Sequence, residues 1–258
     1  MPALLAARGY RLGRSGIAYA RSLASGGGLS EVRFFLYGDG RVGSELLVDL
    51  LDSHPRVRCE SEVLHFPVRW PKRYLEGRAR AAGTAAYGFK LLNYQLRATV
   101  RRGEPARLLA ELVGEGWRLI YMKRANVLRQ AASALVSRHR KQWHSQKGER
   151  PLTGKVCLDC RELLRLMEAI ERDVGTDDGA VADLPHLETI YERDLLDAGQ
   201  HEATARRVFQ YLGLPPSEVS TRWAKVTPKR MSDFIGNFDE VRSAVSATPF
   251  ARFLDDPP

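Results

Sequence analysis

An α/β fold built on a mainly parallel sheet is predicted by three features of the sequence. Short, nearly continuous apolar runs such as Val32 to Tyr37 recur along the chain, as expected of strands buried on both faces. Amphipathic segments separate them, such as Glu45 to Asp52. Glycine-containing turns join the two kinds of segment, and alternation of this kind implies parallel strands with helical crossovers.

The elements follow in chain order. Val32 to Tyr37 is the first strand. Gly38 to Gly43 is a loop, and Glu45 to Asp52 a helix stopped near His54-Pro55. Ala85 to Leu92 and Arg118 to Met122 are the next strands. The second of these runs into Lys123-Arg124, and a helix from Ala125 to about His139 follows, with Asn126 as its N-cap. Leu187 to Glu192 is a fourth strand. His201 to Leu212 is a helix closed by Gly213. In such sheets ligands bind at the carboxyl ends of the strands.

At 258 residues the chain can bury a core without staples. Its 44% hydrophobic and 28% charged content is that of a globular protein. No apolar run approaches the roughly eighteen residues of a membrane span. Residues 1–28 read as a basic N-terminal arm ending in the Gly26-Gly27-Gly28 linker, and 29–258 as the folded domain. The net charge of +9 implies an anionic partner. The basic residues are dispersed except around Arg138 to Lys147, which disfavours specific nucleic-acid binding. That basic segment and the arm leave contact with a membrane surface open, as homo-oligomerisation is left open. Cys157 and Cys160 form one C-x-x-C without a second pair or a suitably spaced His. No metal site is expected, and reduced thiols in a cytoplasmic protein are the simplest reading.

The stretch Gly38-Asp39-Gly40-Arg41-Val42-Gly43-Ser44-Glu45-Leu46 lies between a strand and a helix. Its glycines let backbone N–H groups converge on an anion at a helix N-terminus. Arg41 adds a guanidinium and Ser44 a hydroxyl. A nucleoside-triphosphate loop needs Lys where Ser44 stands. A second element is Lys123-Arg124-Ala125-Asn126-Val127-Leu128-Arg129-Gln130-Ala131-Ala132-Ser133. Arg124 falls at a strand end, and Ser133 lies about two helical turns on, on the face of Asn126.

The second element resembles the nucleotide-binding segment of the bacterial carbohydrate sulfotransferases, the group that includes the trehalose and nodulation-factor enzymes. The first resembles their 5′-phosphosulfate loop, with Val42 in place of a usual Ser and Glu45 in place of a usual Thr. The resemblance extends from about Val32 to Leu254. It implies a P-loop-like sulfotransferase fold and transfer of a sulfuryl group from 3′-phosphoadenosine 5′-phosphosulfate (PAPS) to a carbohydrate or glycolipid hydroxyl, without a metal. It places Arg41, Gly43, Ser44, Glu45 and Leu46 at the 5′-phosphosulfate and Arg124 and Ser133 at the 3′-phosphate. Lys225 lies in the segment that covers the nucleotide. Glu62 is the implied general base, with Glu60, His54 and His65 as alternatives, and Arg41 stabilises the leaving group. Two other readings remain: a non-catalytic nucleotide- or anion-binding protein on the same fold, and a P-loop-type small-molecule kinase. No motif names the acceptor. Trp70, Tyr74, Tyr94 and Trp143 are aromatic candidates for stacking on a sugar.

Overall fold

Strand β1 (Val32–Gly38) is buried over its last five residues and sits at the centre of the sheet. In this computed structural model, which describes residues 16–20, 22–23, 28–66, 68–99, 105–143, 145–149, 154–224, 228 and 230–254, the chain then alternates. Helix α1 (Ser44–Asp52) leads to β2 (Val57–Glu60), α2 (Pro71–Ala82) and β3 (Ala86–Leu92). Helices α3 (Asn93–Thr99) and α4 (Pro105–Gly114) precede β4 (Trp117–Lys123). Helix α5 (Val127–Arg140), the two-residue β5 (Ser145–Gln146) and the long α6 (Cys160–Val181) come next. They are followed by β6 (His186–Ile190), α7 (Tyr191–Asp194) and α8 (His201–Tyr211). The small β7 (Trp223–Ala224) and α9 (Phe238–Ser246) complete the set.

The main sheet has the order β2-β3-β1-β4-β6, with every adjacent pair parallel. The expected α/β class with a mainly parallel sheet is therefore found. Alternate residues of β1 serve opposite faces. Phe35 and Tyr37 pack with α2 and α4 through Tyr74, Leu75 and Leu109. Phe34 and Leu36 pack with α1 and α8 through Leu47, Leu51 and Phe209. Each fully buried side chain of this size contributes about 1.5–3 kcal/mol. A third cluster joins α5, α6 and α9 through Leu128, Met167 and Val241. β5 pairs antiparallel with β7 as a separate two-stranded ribbon.

Two boundaries differ from expectation by two residues, the others by one at most. The late strand ends at Ile190, not Glu192, because the Asp194 carboxylate accepts the Ile190 N–H at 2.7 Å and the chain turns into α7. Helix α5 begins at Val127 and not Ala125, because Asn126 caps it, its side chain accepting the Arg129 N–H at 2.8 Å. Among the described residues of the N-terminal segment, 16–20 are helical, with Ala18 buried against α2. The three cysteines are free thiols. Among the described residues no helix is long and apolar enough to cross a membrane.

Candidate functional site

The central strand ends in the loop that carries the first motif. Gly38 pairs with Leu92 on one side and Met122 on the other, and a Cβ there would run into the Met122 carbonyl. Arg41 takes φ 66, a left-handed conformation that disfavours side chains other than Gly, Asn and Asp. Gly43, at φ 80, is the residue before α1; a Cβ at this position would press on the Tyr191 ring and Leu195. With no side-chain cap, the intrahelical ladder starts at Leu47 N–H to Gly43 C=O, 3.1 Å. The amides of Ser44, Glu45 and Leu46 stand outside it, as at any helix start, and point with the helix dipole toward the same space. Val42, which replaces a Ser of the family pattern, is 2% exposed and packs into the α1–α8 core. Its side chain faces inward, so the departure changes the core and leaves the backbone cradle intact.

The second motif meets the first. Arg41 Nε and Nη2 donate to Ser133 Oγ at 3.1 and 3.0 Å, and Nη1 donates to the Trp143 carbonyl at 2.7 Å. Arg124 Nη1 donates to the Arg41 carbonyl at 3.2 Å, and its Nε to Glu192 Oε1 at 3.1 Å. The Arg124 guanidinium lies 4.6 Å from the Tyr191 ring centroid. Glu192 also accepts the Ala125 N–H at 2.8 Å, fixing the turn between β4 and α5. Gln130, on the first turn of α5, donates to Asp39 Oδ2 and the Gly40 carbonyl at 2.8 and 2.9 Å and so holds the loop from behind. Burial, and then the charge of Arg124, pull the Arg41 guanidinium down to about 10. Burial and Arg124 also lower Arg129. Three guanidiniums therefore crowd one region against both desolvation and mutual repulsion, and a multiply charged anion relieves both. Burial pushes the Asp39 carboxyl up to about 6, against a backbone hydrogen bond at Gly40 that lowers it.

On the other side of α1, Lys90 leaves the end of β3 with its side chain 3% exposed. Its ammonium bridges Glu45 Oε2 at 2.7 Å and Glu62 Oε1 at 3.0 Å. Ser61 Oγ also donates to Glu45 Oε2 at 2.7 Å. The Glu45 carboxylate is thus drawn toward Lys90, while its backbone stays in the first turn of α1. Glu62 Oε2 accepts from Gln95 Nε2 at 2.6 Å and from Tyr94 OH at 3.3 Å. Glu60 faces another way. It accepts from Arg78 Nε at 3.0 Å, from Arg78 Nη2, and from Tyr87 OH at 2.7 Å. His54 is 3% exposed, with Nδ1 accepting the Arg56 N–H and Nε2 at 3.1 Å from the Pro215 carbonyl, so it is a packing residue and no candidate base. The exposed His65 binds the Glu62 carbonyl through Nδ1 at 2.6 Å. A cleft of about 500 Å³ runs along α1 from Glu45 and Glu62 to Asp52 and Arg58.

Among the residues singled out by sequence, Arg41, Arg124 and Ser133 converge directly. Gly43, Ser44, Glu45 and Leu46 form the adjoining helix start, and Glu62 reaches it through Lys90. Lys225 lies outside the described residues. Of the four aromatics, Tyr74 is core at 1% exposure, so it offers no stacking face. Trp70, Tyr94 and Trp143 are exposed. Sequence reasoning missed Lys90, Gln95, Gln130 and Glu192 as site residues. Lys90 and Gln95 were detectable as polar residues in and just after a buried strand, and Gln130 as an amide in the Q-A-x-S run. Glu192 carried no such signal. Among the described residues no cluster of His, Cys, Asp and Glu could hold a metal ion.

No protein-family model and no curated protein sequence matches the chain. A solved sulfotransferase from Alicyclobacillus acidocaldarius is structurally similar, with a TM-score of 0.50 and 16% sequence identity over 86% of this chain and 92% of that one. The chain therefore has a sulfotransferase fold, a parallel five-stranded sheet flanked by helices, with the Gly38–Gly43 loop at the end of its central strand.

Proposed function

We propose that this protein transfers a sulfuryl group from PAPS to a hydroxyl of a carbohydrate or glycolipid acceptor. The observation that carries the reading is the meeting of Arg41, Arg124 and Ser133 beside the start of α1. PAPS carries anions at two places, and the donor set suits both. The amides of Ser44 to Leu46 fit the 5′-phosphosulfate, and Arg124 with Ser133 the 3′-phosphate. Ser44 stands where a triphosphate loop requires Lys, so the same cradle suits ATP poorly.

In the transfer, the acceptor oxygen forms a bond to sulfur as the bond from sulfur to the phosphate oxygen breaks. The electron pair remains on the leaving phosphate, and the acceptor proton passes to Glu62. Arg41 and the α1 amides neutralise the charge that develops on the leaving group. They supply the positive charge that metal ions supply in phosphoryl transfer. Lys90 and Gln95 hold Glu62 oriented for its role. The free thiols fit a reducing, cytoplasmic setting.

Calorimetric titration with 3′-phosphoadenosine 5′-phosphate and with ATP tests the reading. Metal-independent binding of the former, at least about tenfold tighter than ATP, is expected because each well-made phosphate contact contributes about 1.5–3 kcal/mol. Preference for ATP with magnesium, or binding of neither, would overturn it.

A further inference from the structure

The segment ahead of β1 turns apolar side chains both inward and outward. Residues 16–20 and 22–23 are helical. Inward, Ala18 is buried, and its backbone lies so close to α2 that a Cβ at Gly77 would strike the Ala18 carbonyl. Tyr19 packs edge-on to Trp70 and Tyr74, at 5.5 and 6.2 Å between ring centroids. Outward stand Ile17, Ala20 and Leu23, which share one helical face by their i, i+3 spacing. Ile17 and Leu23 are 55% and 68% exposed, and Trp70, beside Tyr19, is 50% exposed. The outer face of a surface helix is ordinarily polar. Basic groups accompany this patch. Arg69 lies over the Trp70 ring at 4.8 Å, and Arg73 is exposed on the first turn of α2. Among the described residues neither has an ion-pair partner, whereas Lys72 between them is held by Glu111 and Glu115 at 3.2 and 2.7 Å. In the sequence, Arg8, Arg11, Arg14 and Arg21 are the only charged residues ahead of Glu31.

We infer that this face docks on an anionic lipid bilayer, with Ile17, Leu23 and Trp70 entering the headgroup region and the arginines meeting the lipid phosphates. Trp suits that depth because its ring is apolar and its N–H polar. A neutral bilayer leaves the basic charge unanswered. A second copy of the chain brings arginines against arginines, and like charge opposes it. The inference does not depend on the sulfuryl-transfer reading, and its test needs no nucleotide.

The test is flotation of the full chain with vesicles at about 0.1 M salt. One set is phosphatidylcholine alone, and the other carries about 30 mol% phosphatidylglycerol. Partitioning onto the anionic set is expected to be at least about tenfold stronger, since each basic residue near such a surface adds about fivefold. Ile17→Gln with Leu23→Gln removes apolar area at constant charge and should weaken it about tenfold. Arg69→Gln with Arg73→Gln should weaken it about five- to thirtyfold. Arg165→Gln with Arg242→Gln, an equal charge change at exposed positions of α6 and α9, should leave it within about twofold. Phosphatidylcholine brominated on its acyl chains, mixed into the anionic vesicles, should quench tryptophan emission. Trp70→Phe should remove most of that quenching, and Trp143→Phe should retain it. Equal partitioning onto the two sets, or none, overturns the inference. So does partitioning that survives the Ile17 and Leu23 substitutions, an equal loss from the Arg165 and Arg242 substitutions, or quenching that survives Trp70→Phe. A dimer that the Ile17 and Leu23 substitutions dissociate, without vesicle binding, overturns it in favour of a second copy.

Discussion

Replacing Lys90 by Met keeps the volume and apolar stem of the side chain and removes its charge. In the native protein the ammonium contacts two carboxylates at 2.7 and 3.0 Å and is almost wholly buried. Breaking a fully buried ion pair from one side costs about 3–5 kcal/mol. The carboxylates left behind are 19% and 32% exposed and can take up water, which lowers the expected loss to about 2 kcal/mol. For a chain of this size that is a drop of about 4–8 °C in Tm. Part of the loss is repulsion between Glu45 and Glu62, so Glu45→Gln in the Lys90→Met background should recover about 1 kcal/mol. A double-mutant cycle by urea denaturation measures the coupling. The reasoning fails if Lys90→Met costs less than about 0.5 kcal/mol, or if Glu45→Gln destabilises equally with and without Lys90. The same variant frees Glu62, so kcat should fall along with stability.

Arg124→Ala should weaken 3′-phosphoadenosine 5′-phosphate binding by about 10- to 150-fold, from the loss of a charge-assisted contact of about 1.5–3 kcal/mol, and titration calorimetry reads this directly. Glu62→Gln should lower kcat by about 10²–10⁴-fold at nearly unchanged donor affinity. Glu60→Gln, which loosens Arg78 and Tyr87, should act on the urea midpoint instead. Comparing the two variants in both assays separates catalysis from scaffolding. Burial raises Asp39 to about 6 in the folded chain. A raised carboxyl contributes stability that is fully present below its unfolded pKa of about 4 and lost as pH rises through about 6. Asp39→Asn should therefore gain on the native protein between about pH 4 and 7, reaching about 1–2 kcal/mol once the partial exposure of Asp39 is allowed for. Urea midpoints across that range would show no trend if Asp39 were fully solvated.

The strands that build the site were readable because β1, β3 and β4 are largely buried and appear as nearly continuous apolar runs, each interrupted by a charged residue such as Arg33, Lys90 or Arg118. β2 escaped because it has only four residues, Val57 to Glu60, with alternating burial. Helix α6 escaped although it is 22 residues long. Its apolar stripe of Leu163, Met167 and Ile170 is interrupted by charge and by Gly175 and Gly179. The Gly38–Gly43 loop and the Arg124–Ser133 segment were legible because each is contiguous. The Glu45–Lys90–Glu62 chain was not, because its three members come from a helix, a strand and a loop far apart in sequence. No local pattern records that one lysine serves two carboxylates. The inward turn of Val42 was equally hidden, since only packing against α1 and α8 distinguishes a core valine from a degraded phosphate ligand.

The Arg41 guanidinium also acts as a strut. With all three of its nitrogens engaged by Ser133 and the Trp143 carbonyl, it ties the loop after β1 to the middle of α5 and to the chain just beyond its C-terminus. A nucleotide bound as proposed would exchange one set of hydrogen bonds for another and add few to the total. The net gain in the proposed complex would then be mainly electrostatic, so its affinity should fall as ionic strength rises.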